Sequence, residues 1–145
     1  MCFFKGSLSE AHEYCETFGM YLVSFDTSYE FEAVQGRLKE GKIYLKKKLF
    51  IEINYYCFLD FSSHISFWTS GFRPKESSAW FWQSTKRLFN SKFVYWSGNQ
   101  PEVPADKDAC VYINEPNYLW YDMSMAECHR RYNFNFICEA LDDSF

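Results

Sequence analysis

Trp96-Ser97-Gly98-Asn99-Gln100-Pro101-Glu102, then Asp106-Lys107-Asp108-Ala109-Cys110, then Leu119-Trp120-Tyr121-Asp122 and finally Cys128 make up the stretch on which the reading of the whole chain turns. Carboxylate and amide oxygens come together there from a turn, an acidic approach and a strand-like segment, all lying between or beside Cys110 and Cys128. That donor set is the one a hard cation such as calcium requires. The same spacing also suits a polar loop beside a structural disulfide.

Outward from that stretch, 145 residues suit one domain with a real core, so a single domain over residues 1–145 is expected. A net charge of -4 gives no electrostatic reason to expect nucleic acid or an acidic membrane surface as partner. Six cysteines with no Cys-x-x-Cys pair favour a disulfide framework in an oxidising compartment over a zinc site, and hence a secreted protein. No stretch resembles an export signal, and no apolar run is long enough to cross a bilayer. The expectation is therefore a chain truncated at its N-terminus.

Ser7-Leu8-Ser9-Glu10 has the capping-box pattern that opens a helix, with Leu8, Ala11, Cys15 and Phe18 on one face and Gly19 as the stop. His12 lies one position past that stripe and is expected at the solvated surface. Tyr21 to Phe25 alternate as a short strand. Thr27-Ser28-Tyr29-Glu30 is a second capping box, leading Phe31, Val34 and Leu38 along a helix that ends near Glu40. From Ser66 onward short strands replace helices: 67–71, 79–82, 93–96, 109–113, 118–121 and 134–139. The layout is α+β. In the last strand Phe134, Phe136 and Cys138 share a face.

Residues 41–60 break every period. Gly41-Lys42 can be encoded by codons containing a splice donor, Phe58-Leu59 by a pyrimidine tract ending in an acceptor, and the residues between are those that AT-rich DNA encodes. A translated, unspliced intron and a genuine insertion, with Cys57 reaching Cys2, both account for the segment.

Cys15, Cys110, Cys128 and Cys138 within Phe136-Ile137-Cys138-Glu139, together with Phe67-Trp68-Thr69-Ser70-Gly71, Trp80-Phe81-Trp82 and Tyr95-Trp96, resemble the C-type lectin-like domain family in its arthropod form. The resemblance implies two helices, short antiparallel sheets and a long binding loop, stapled by Cys15–Cys138 and Cys110–Cys128. It places calcium on Gln100, Glu102, Asp108 and Asp122, with Pro101 cis and with Tyr121 where the family has an asparagine ligand. Glu115-Pro116-Asn117 spells a family sugar motif in the wrong place, after Cys110, and is expected to be an ordinary turn.

By the same resemblance the function is that of a secreted carbohydrate-recognition domain that holds its sugar through the loop calcium, with Gln100, Glu102, Asp108, Tyr121 and Asp122 at the sugar, galactose-type by its Gln100, in innate-immune recognition. The rival from another class is a calcium-independent module that binds a protein ligand through the same loops, for which Tyr121 is the best sign. An enzyme would need a nucleophile beside a base, such as a free cysteine near His64 or His129. Neither histidine has a motif around it, and no catalysis is expected.

Overall fold

The computed structural model describes residues 5–39 and 66–140. Cys2, Cys57, His64 and the 41–60 segment lie outside the described residues. The chain opens with β1 (Lys5–Gly6) and α1 (Leu8–Thr17). Ser7 caps α1 as its spacing predicts: its hydroxyl accepts from the Glu10 N–H, and the Glu10 carboxylate accepts from the Ser7 N–H. Leu8, Ala11 and Cys15 are buried, but Phe18, expected on the same face, is the C-cap residue and is 53% exposed. The helix stops one residue before its apolar stripe does. Gly19 follows in the left-handed region at φ +67, where a side chain would be strained.

Strand β2 (Tyr21–Leu22) precedes α2 (Ser28–Lys39), opened by the reciprocal Thr27–Glu30 capping box. Phe31 packs α2 edge-on against Phe25 and Trp120, at centroid distances of 5.2 and 5.4 Å. The main sheet is built on β3 (Ser66–Arg73), which pairs with β6 (Ala109–Asn114); β6 in turn pairs with β7 (Leu119–Ser124). The hairpin of β4 (Phe81–Trp82) and β5 (Arg87–Leu88) extends the sheet past β3. The β3–β6 register shifts between Trp68 and Phe72, and Gly71 lies within that shift. A Cβ there would come within 2.7 Å of the Val111 Cβ, so the close approach of the two strands requires glycine.

After β7 come α3 (Met125–Arg130), β8 (Phe134–Phe136) and β9 (Cys138–Glu139). Strand β8 runs parallel to β3 and antiparallel to β1, and β9 pairs with β2. Both expected helices are present, and a third, of six residues, follows β7 and brings Cys128 beneath β6. One expectation needs correction. Residues 93–96 form no strand; only Trp96 bridges to Trp120, the Trp120 N–H donating to the Tyr95 carbonyl and the Ser97 N–H to the Trp120 carbonyl, with aromatic contacts beside them.

Both implied disulfides are formed. Cys15–Cys138 ties α1 to β9, and Cys110–Cys128 ties β6 to α3. Trp82, Trp120, Phe25, Phe31 and Phe67 fill one core cluster; Leu8, Trp68 and the four bridged cysteines anchor a second. Between them the sheet presents the start of β6 and the end of β7 to the long loop over residues 97–108.

Candidate functional site at the loop and strand β7

The Gln100–Pro101 bond is cis, and it turns the loop back over β7. Four hydrogen bonds lock this corner. The Asp122 N–H donates to the Gln100 Oε1 at 3.0 Å, and the Gln100 N–H donates to the Ser97 carbonyl at 2.8 Å. The Asp122 carboxylate, on a residue only 5% exposed, accepts from the Glu102 N–H at 2.8 Å through one oxygen and from the Val103 N–H at 2.9 Å through the other. A buried carboxylate held by two amide donors is fixed in place.

Tyr121 projects to the opposite side of β7 from Asp122, as strand alternation dictates. Its ring stacks on Tyr112 with centroids 5.5 Å apart, and its hydroxyl accepts from the Ser97 Oγ at 2.9 Å. Burial pushes the Tyr112 hydroxyl up to about 12, helped by Tyr121, Asp122 and Glu102 nearby. A cleft of about 310 Å³ opens beside the corner, lined among others by Glu102, Lys107, Tyr112, Asp122 and Glu127.

Asp108 stands apart. Its carboxylate accepts from the Lys75 N–H at 2.7 Å and its carbonyl from the Met125 N–H at 2.9 Å, so it fastens the base of the loop to the segment just after β3 and to the start of α3. Gln100, Glu102 and Asp122 thus share one corner, while Asp108 and Tyr121 are engaged elsewhere. Among the described residues no three histidine, cysteine, aspartate or glutamate side chains gather where a metal could be held. Calcium takes six to eight oxygens; here the Gln100 Oε1 and both Asp122 carboxylate oxygens each accept one N–H, and the Glu102 carboxylate accepts none among the described residues. As arranged, the residues do not form a calcium shell.

Arg73 is the residue that sequence reasoning missed. At the end of β3 and 7% exposed, it donates to three loop carbonyls: Val103 at 3.1 Å, Pro104 at 2.9 Å and Lys107 at 2.8 Å. Its guanidinium also lies 5.2 Å from the centre of the Trp80 ring. An arginine at a strand end has no motif; only an arginine among residues otherwise expected in the core could have drawn attention to it. Glu115-Pro116-Asn117 forms the β6–β7 connection, as expected, with the Asn117 carbonyl accepting from the Gln35 Nε2 at 2.9 Å.

The Lectin C-type domain model matches residues 5–140 of the sequence. The chain belongs to that family. No curated protein matches this C-type lectin domain closely enough in sequence to count as a relative. Among solved structures it is similar to TC14, a C-type lectin from the tunicate Polyandrocarpa misakiensis, with a TM-score of 0.65 and 19% identity over 95% of this chain and 92% of that one. It is also similar to the mouse scavenger receptor C-type lectin carbohydrate-recognition domain, with a TM-score of 0.62 and 18% identity over 95% and 83% of the two chains. Herring type II antifreeze protein matches with a TM-score of 0.60 and 18% identity over 93% and 83%. At these identities the likeness shows the fold alone. The lectin domain has no helix, among the described residues, long and apolar enough to cross a membrane.

Proposed function

We propose that the chain is a carbohydrate-recognition domain that meets its sugar at the corner formed by Gln100, Glu102 and Asp122. The observation that carries this reading is the Asp122 carboxylate spanning the Glu102 and Val103 N–H groups beside an open cleft. A preorganised edge of amide and carboxylate groups suits ligands that offer adjacent hydroxyls, because little ordering remains to be done on binding. Tyr112 and Tyr121 lie on the same strands. Galactose-type preference rests on Gln100 and the family resemblance, as does a part in innate-immune recognition. Two long-range disulfides support an extracellular setting, and the chain is taken as one domain over residues 1–145.

Calcium would have to take Gln100, Glu102, Asp122 and, once Lys75 releases it, Asp108. We therefore place the sugar contacts on side-chain hydrogen bonds and give the metal no part in them. Thermal melts separate the two versions, since a ligand of the folded state raises its stability. The expected result is a rise in Tm with sugar in the presence of EDTA and none with calcium alone. A calcium-dependent rise would overturn the metal-free version and restore the four-residue site, and Tyr121→Asn should then strengthen it. No response to any sugar, with tight binding of a protein, would replace carbohydrate recognition by a protein-binding role.

A further inference from the structure

Away from the loop, His12 and Glu16 stand one turn apart on α1 and face Tyr21 and Leu22 of β2 and the four-residue turn between β4 and β5. Together they line a cleft of about 160 Å³ with Gln83, Ser84 and Lys86. At roughly 30 Å³ per water molecule the space holds about five waters, on the order of one sugar ring.

The lining is chemically specific. The Glu16 carboxylate accepts, the Lys86 ammonium donates, and the Gln83 amide does both. One negative and one positive group leave the cleft without net charge. The Ser84 hydroxyl is held by the Ser70 Oγ at 2.8 Å, and Tyr21 presents a 37% exposed ring at the edge. The His12 Nε2 is buried and has no hydrogen-bond partner among the described residues. Burial, opposed by Glu16 and reinforced by His129 and Lys86, lowers the His12 pKa, so the ring is a neutral group with both donor and acceptor capacity. Contrary to expectation, His12 is not a solvated surface histidine.

We propose that this cleft between α1, β2 and the β4–β5 turn is a second, metal-free binding site for a neutral polyhydroxylated ligand of one-ring size. Balanced charge disfavours simple anions and cations, while alternating donors and acceptors beside an aromatic edge match hydroxyls on a ring. The site shares no residue with the loop corner, and it rests on the carbohydrate reading only for the class of ligand.

The test is titration of the full chain with methyl galactoside, methyl mannoside and N-acetylglucosamine to about 50 mM, followed through backbone amide resonances. At least one sugar should shift the amides of Glu16, Tyr21 and Gln83 saturably. The double variant Glu16→Ala, Gln83→Ala should weaken that response at least about fivefold. Among the described residues neither side chain makes a hydrogen bond, and the backbone bonds there, from the Gly19 N–H to the Glu16 carbonyl and from the Gln83 N–H to the Ser70 carbonyl, survive truncation to alanine. Shifts at Gln100, Glu102 and Asp122 report the loop corner separately, so either site can fail alone. No shift at the cleft, shifts that survive the double variant, or shifts produced by acetate but by no sugar would each overturn the proposal.

Discussion

At the scale of single residues, Asp122 and Arg73 decide whether the loop keeps its shape. Asp122→Asn leaves one oxygen and one NH₂ where two carboxylate oxygens accepted from Glu102 and Val103. One buried N–H then faces a donor, and the variant should lose about 1–3 kcal/mol in chemical denaturation, with sugar binding at the corner lost as well. Arg73→Lys keeps the charge but not the fork that reaches three carbonyls. It should cost about 2 kcal/mol, and hydrogen exchange at residues 103–107 should quicken before the rest of the domain opens. Gln100, Glu102 and Asp122 were legible in the sequence because a Gln-Pro-Glu turn and a Trp-x-Asp strand are local patterns. Arg73 and His12 were not, since what matters about them is burial against segments more than 25 residues away, the 103–107 loop for Arg73 and the 83–86 turn for His12.

Elements carry the next set of consequences. Helix α2 is fastened through Phe31, which is fully buried among Phe25, Tyr95 and Trp120. Phe31→Ala should destabilise the fold by about 3–5 kcal/mol, measured by urea unfolding. The β2–β9 pair holds Glu139, whose carboxylate accepts from the Ser24 N–H at 2.9 Å and from the Ser24 hydroxyl. Burial raises its pKa to about 7 from 4.5; the Ser24 bonds oppose the shift, and the Glu30 and Asp26 charges add to it. Between those values the folded state holds a proton that the unfolded chain has lost. Stability from this group is therefore full below about pH 4.5 and falls, by up to about 3 kcal/mol, as the pH rises to about 7. Glu139→Gln should flatten that part of the stability profile. The two capping boxes fixed α1 and α2 on paper, whereas α3, only six residues long, and β5, with both residues exposed, have no apolar period by which to be recognised.

For the whole molecule the cross-links set the stability. Cys15 and Cys138 are 123 residues apart, and opening that bridge alone, as Cys15→Ala with Cys138→Ala, should cost about 5 kcal/mol in the chain-entropy picture. The Cys110–Cys128 bridge, spanning 18 residues, should cost about 3 kcal/mol. Denaturation of the two double variants under matched conditions checks both the sizes and their order. Arg73 holds the loop by the loop's backbone alone. Its three partners are main-chain oxygens, which every amino acid supplies, so side chains at 103–107 are free to mutate without loosening the anchor.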